Sequence, residues 1–102
     1  MATIIWTDTA QSNLIEIRTY IALASLMQAD MLIDALLLKA QMLERYPEIG
    51  KIIKEAPRKE YREIVFKKYR IIYRVHNDIV YIMSVWHSSR LLINNPLFKD
   101  EF

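Results

Sequence analysis

The chain has 102 residues, 53% hydrophobic and 25% charged, with a single glycine, the composition of one folded domain over 1–102 with one modest core and not of a disordered tail. It has no cysteine, which excludes disulfides, thiolate zinc sites and cysteine nucleophiles and suits a reducing compartment, so the cytoplasm is expected. The net charge of +2 is unevenly spread: residues 1–50 carry three Lys/Arg against six Asp/Glu and residues 51–102 eleven against six, so the second half suits an anionic ligand or an acidic protein partner.

Thr3 to Trp6 is short, β-branched and aromatic, and reads as a strand that stops at the capping residues Thr7, Asp8 and Thr9. Asp8 interrupts this start before an apolar run could act as a signal peptide. From there Leu14, Ile17, Ile21 and Ala24 recur at steps of three and four, which predicts an amphipathic helix over 8–24. Ser25 to Gln28 reads as a break. A second helix follows with Ala29, Leu32, Ile33, Leu36, Leu37, Ala40 and Leu43 facing inward, and the short connection makes the two an antiparallel hairpin. Met31, Leu38 and Met42 widen its apolar surface beyond one stripe, as a doubly buried helix or a partner-binding helix would. The apolar runs are too short, and too charged at Asp30 and Asp34, to span a membrane.

Pro47 and Gly50 end the second helix, and 51–59 reads as a basic, irregular connector containing Lys51, Lys54, Pro57, Arg58 and Lys59. The apolar period then becomes two. Strands are predicted at 61–66, 69–75 and 79–86, with turns at Lys67-Lys68 and at His76-Asn77-Asp78, which makes an antiparallel meander. A short C-terminal helix and a loose tail complete an α+β fold: N-terminal strand, helical hairpin, three-stranded meander in one sheet. The hairpin is expected to cover one sheet face and leave the other partly free. Alternation puts Tyr69, Ile71, Tyr73 and Val75 on one face and Arg70, Ile72, Arg74 and His76 on the other, so Arg70 and Arg74 are expected on the open face or its edge, where Arg62 of the neighbouring strand could join them.

No P-loop, dinucleotide fingerprint, nucleophile elbow or metal-ligand cluster is present, so neither metal nor cofactor is expected. The tyrosines at 69, 73 and 81 suit core packing, Trp6 and Trp86 suit core or sheet-edge anchoring, and His87 suits a role ending the last strand with a hydrogen bond to a neighbour.

Several stretches, in order along nearly the whole chain, resemble the RelE/ParE superfamily of type II toxin–antitoxin modules, and more closely its ParE-like branch. These are Trp6 with Ala10, Tyr20-Ile21-Ala22, Tyr46-Pro47 with Ile49-Gly50-Lys51, Arg62-Glu63-Ile64, the run Tyr69 to Val75, and Val85-Trp86-His87-Ser88-Ser89-Arg90. The resemblance implies a helical hairpin on an antiparallel sheet and a small toxin neutralised by a ParD-like antitoxin. It implies one of two actions: inhibition of DNA gyrase by protein binding in ParE-like members, or ribosome-dependent cleavage of messenger RNA in RelE-like members. Target contact would fall to Arg62, Arg70, Arg74 and Arg90, and antitoxin contact to Met31, Leu38 and Met42. A ribonuclease would rest on Arg70, His87 and Arg90, with phosphate binding at Arg70. The sequence after His87 departs from the ribonucleolytic pattern at Ser88, Ser89, Asn94 and Asn95. The usual residue there is a tyrosine, a histidine or a further basic residue, so gyrase inhibition is the expected activity and messenger RNA cleavage the alternative.

Overall fold

A computed structural model describes residues 1–56, 58 and 60–99. Pro57 and Lys59 of the connector, and the tail expected beyond residue 99, lie outside the described residues. The order is β1 (Thr3–Trp6), α1 (Asp8–Ala22), α2 (Leu26–Gln41), β2 (Lys51–Ile52), β3 (Arg62–Phe66), β4 (Tyr69–His76), β5 (Ile79–His87) and a four-residue α3 (Pro96–Lys99), with 3-10 turns at Met42–Glu44 and Leu92–Asn94.

Capping explains where the helices begin. Thr7 Oγ1 accepts the Ala10 N–H at 3.2 Å, so Thr7 caps α1. Ser25 Oγ accepts the Gln28 N–H at 3.2 Å and starts α2 at Leu26. The expected break at 25–28 is thus mostly first turn, because a serine that caps needs only itself outside the helix. The β4–β5 turn is tight because Asn77 and Asp78 both adopt positive φ, 49° and 60°, the pairing that closes a two-residue hairpin with the twist of its strands.

The sheet has five strands in the order β1-β5-β4-β3-β2. The meander is antiparallel as expected, and β1 joins it parallel to β5, with Thr3 opposite Ile79. The connector read as irregular contributes an edge strand: Lys51 and Ile52 pair with Glu63 and Arg62 of β3. Two residues are too few to leave a periodic signal. Along β4–β5 the ladder passes from Ile72–Ser84 to Tyr73–Ile82 and skips Met83, a bulge in β5.

The helical hairpin covers one face. Ala10, Leu36, Ala40 and Leu43 meet Ile64, Ile71, Tyr73, Val80, Ile82 and Val85 there. The opposite face, expected to be partly free, is covered across its middle. Ile53, Ala56, Tyr61, Ile72, Trp86, Leu92 and Phe98 form a second buried cluster there, supplied by the connector and the C-terminal segment. Neither segment keeps a strand or helix period over its length, so neither reads as a cover until the sheet brings them together.

A buried polar chain ties the two sides at the bulge. Ser84 Oγ donates to Asn13 Oδ1 at 3.0 Å, which also accepts the Val85 N–H, and Asn95 Nδ2 donates to Ser84 Oγ at 3.1 Å. Ser84 and Asn95 are each 1% exposed, so both must find their partners within the protein.

Candidate functional site

Directly paired residues on neighbouring strands share a sheet face, and the register therefore sorts the expected site residues. Val65, Arg70 and Trp86 lie in one row, Glu63, Ile72 and Ser84 in the next, and Arg74 pairs with Tyr81 beyond. All belong to the face away from the helical hairpin. Arg62 pairs with Tyr73, and Tyr69 with His87, which puts Arg62 and His87 on the helix face.

The expectation that Arg62 joins Arg70 and Arg74 is thus corrected. Arg62 Nη1 donates to Gly50 O at 2.8 Å and to Glu48 O at 3.2 Å, and Tyr73 Oη accepts the Gly50 N–H at 2.7 Å. These bonds clamp the turn ahead of β2. Burial raises the Tyr73 hydroxyl above the ordinary tyrosine pKa, while the Gly50 N–H bond and the nearby Arg62 charge pull it down. Gly50 is needed for space: a Cβ there would meet the Tyr73 hydroxyl, lie 2.6 Å from Tyr73 Cε1 and 2.8 Å from the Glu63 carbonyl oxygen.

On the other face, Lys51, Lys54, Glu55, Glu63, Arg70, Ser88, Ser89 and Arg90 line a cleft of about 350 Å³ together with four apolar residues. Three elements build it: β2 and its extension, the β3–β4 ladder, and the chain leaving β5. Arg70 Nη1 lies 3.4 Å from Glu63 Oε2, with the two side chains 27% and 14% exposed. The Arg90 guanidinium sits over the Trp86 ring, 3.8 Å from its centroid, and Trp86 Nε1 donates to the Arg90 carbonyl at 3.2 Å.

Arg74 stands apart from the cleft. It lies over the Tyr81 ring at 4.9 Å and 3.9 Å from Glu60 Oε2, with Ile72 of the second apolar cluster between it and Arg70 along β4. His87 is turned away from the cleft as well. Its Nδ1 accepts the Ser89 N–H at 3.1 Å and lies 2.7 Å from Ser89 Oγ, and its ring meets Tyr69 edge-on at 5.3 Å. The structure therefore brings Arg70 and Arg90 together with Lys51 and Lys54, and keeps Arg62, Arg74 and His87 out. Glu63 stands out in the sequence within Arg62-Glu63-Ile64, as an acid to pair with Arg62 or Arg90, whereas the structure pairs it with Arg70. Its place in the register opposite a two-residue strand was the missing signal.

A second concavity, about 630 Å³ and mostly apolar, runs between α2 and the β3–β4 turn, lined by Ile21, Met27, Met31, Leu32, Ala35 and Tyr69 with Lys67 and Lys68 at its rim. Met31 and Leu38 are 64% and 70% exposed, and Met42 is half-buried in the 3-10 turn that follows α2, beside Ile64 and Val65. Tyr20, Leu23 and Met27 extend the exposed apolar surface to the tip of the hairpin.

Among the described residues, no three His, Asp or Glu side chains are placed to hold a metal ion, and no helix is long and apolar enough to cross a membrane.

The family model described as the ParE toxin of the type II toxin–antitoxin system, parDE, matches residues 4–92. The Toxin RelE2 of Caulobacter vibrioides is 33% identical over 91 residues, which is 89% of this chain and 100% of that protein. A solved chain of the chromosomal ParDE toxin–antitoxin system of P. aeruginosa has the same fold, with a TM-score of 0.73 at 18% identity over 85% of this chain and 96% of that one. The RelBE2 toxin–antitoxin complex of Mycobacterium tuberculosis contains a chain similar at a TM-score of 0.64 and 23% identity, over 84% and 96%.

Proposed function

Because this chain belongs to the ParE toxin family of type II toxin–antitoxin systems, we propose that it acts inside the cell by binding DNA gyrase, without catalysis of its own, and is held neutral by a ParD-like antitoxin. The observation that carries this reading is the separation of His87 from the arginines. Cleavage of RNA without a metal needs a general base and an acid at the phosphate, as well as cations for the developing charge. The cleft supplies cations, yet its described lining includes neither imidazole nor phenol. Arg70, its best phosphate ligand, already faces the Glu63 carboxylate. Arg90 would join Arg70 in target contact, and Arg74 and Arg62 would contribute only from separate surfaces.

The test uses purified protein in a gyrase supercoiling assay, where inhibition or accumulated cleavage complexes are expected with RNA left intact. Ribosome-dependent RNA cutting that disappears in Arg70→Ala would overturn the reading. One observation favours that second reading, an endoribonuclease: Lys51, Lys54, Arg70 and Arg90 converge in one cleft although they come from distant parts of the chain. Toeprinting on translating ribosomes separates the two, since codon-specific stops belong only to the ribonuclease.

The antitoxin is assigned to the apolar side of α2. An amphipathic helix laid along Met31, Leu38 and Met42 would bury exposed methionine and leucine, and an acidic residue in it would meet Lys67 and Lys68 at the groove rim.

A further inference from the structure

The turn that carries Arg90 into the cleft is held by the wall of the apolar groove on the other face of the sheet. Lys68 and Tyr69 line the groove, and Ser88, Ser89 and Arg90 line the cleft. The Lys68 carbonyl accepts the Ser88 N–H at 2.7 Å. Tyr69 meets the His87 ring edge-on at 5.3 Å, and His87 holds the next two residues. Its Nδ1 accepts the Ser89 N–H at 3.1 Å. Because an amide can only donate, the ring proton sits on Nε2, and the Ser89 hydroxyl, 2.7 Å away, donates to Nδ1 as well. The His87 carbonyl accepts the Arg90 N–H at 3.0 Å. Three consecutive amides beyond the end of β5 are thus bonded either to the groove wall or to the residue whose ring packs on it. Arg90 itself is stacked, its guanidinium 3.8 Å from the Trp86 ring centroid and its carbonyl accepting the indole N–H. Ser88, Ser89 and Arg90 are all exposed, and exposed backbone bonds belong to the part of a fold that opens most readily.

Taking the antitoxin to sit on the apolar side of α2, as proposed above, we infer that filling the groove locks Arg90 onto Trp86 through Lys68, Tyr69 and His87. A partner helix on α2 then withdraws a cation from the opposite face without covering it. Two states of the turn are involved. In the closed one, seen here, the three amides are bonded and Arg90 is stacked. In the open one the turn is released and Arg90 is free to reach a target. An apolar side chain in the groove packs against Tyr69 and the Lys67-Lys68 turn in the position the closed state gives them, so it binds that state better and shifts the population toward it.

The chain has no cysteine, so Met31→Cys can be alkylated at one site with N-phenylmaleimide, which places an apolar ring in the groove of the full chain with no antitoxin present. Amide hydrogen exchange followed by NMR reads the turn. Exchange at Ser88, Ser89 and Arg90 should slow at least about fivefold, the lower end of typical coupling between sites, and the Trp86 indole N–H should slow with them. The same adduct on Ile15→Cys, exposed on α1 and outside the groove lining, should change these rates less than about twofold. In His87→Leu, which still packs on Tyr69 but has no side-chain acceptor, the slowing should disappear at Ser89 and Arg90 and persist at Ser88, whose acceptor is Lys68. Shifted Leu32 methyl signals show that the phenyl ring is seated. A seated ring with no slowing, equal slowing by the two adducts, or slowing at Ser89 and Arg90 that survives His87→Leu would overturn the proposal. Should the Met31 adduct fail to fold or leave Leu32 unperturbed, Met27→Cys on the same groove wall takes its place and the same outcomes decide. A silent turn refutes the link alone, whereas full-strength antitoxin binding by Met31→Glu refutes the seat on α2 alone.

Discussion

Replacing Gly50 with alanine probes how the turn before β2 is held. Gly50 does not have positive φ, so the substitution carries no backbone penalty, and its cost must come from space alone. The added methyl would press on the Tyr73 hydroxyl and lie 2.6 Å from Tyr73 Cε1 and 2.8 Å from the Glu63 carbonyl oxygen. Tyr73 is fully buried and cannot swing away without disturbing Leu36 and Leu43, while the carbonyl belongs to the β3 backbone. Forcing a methyl into a packed site costs about 1–3 kcal/mol. Losing the 2.7 Å Gly50–Tyr73 bond leaves a buried hydroxyl unsatisfied for about another 1–3 kcal/mol. A loss of roughly 2–6 kcal/mol follows from these two terms, equivalent to a Tm drop on the order of 10–40 °C for a domain of this size. Urea and thermal denaturation measure it directly. Tyr73→Phe together with Gly50→Ala should recover part of the loss, because the hydroxyl clash and the unpaired hydroxyl vanish together. A Gly50→Ala change under 0.5 kcal/mol, or a double variant worse than the sum of the singles, would refute a steric clamp on β2.

Tyr73 and Tyr69 both have raised pKa values, chiefly through burial. Their neutral forms are favoured in the folded state, so their contribution is complete below the unfolded tyrosine pKa near 10 and is lost as pH rises through the folded values. Denaturation midpoints should therefore fall above pH 10, less steeply in Tyr73→Phe; an unchanged slope would remove Tyr73 from the explanation. Ser84→Ala should cost about 1–3 kcal/mol by leaving the Asn95 amide without its partner, and a smaller effect in the Asn95→Ala background would show the coupling in chemical denaturation. Met31→Glu should leave the melting temperature within about 4 °C, as expected for an exposed site, yet weaken antitoxin binding at least tenfold by calorimetry; full-strength binding would move the antitoxin elsewhere.

Much of the fold follows from periods of 3.6 and 2 that the chain states openly. Leu36, Ala40 and Leu43 face the sheet because helical spacing puts them there, and Ile71 and Tyr73 meet them because strand alternation does. The cleft is harder to see, since it depends on a single skipped residue. Val80 and Ile82 face the helices. Uninterrupted alternation would continue with Ser84 and Trp86 on that face and would put His87 on the other, beside Arg70. The bulge at Met83 reverses this. Val85 takes the helix-facing place, Trp86 turns to the far face to carry Arg90, and His87 turns under Tyr69. Serine and methionine at the bulge offer no glycine or proline to mark it, and the buried Asn13–Ser84–Asn95 chain that fixes it joins residues 71 and 11 positions apart. A one-residue bulge thus moves the only candidate imidazole near the C-terminal turn from the cation face to the helix face. A surface that strict alternation would furnish with an imidazole is lined instead by lysine, arginine, glutamate and serine side chains.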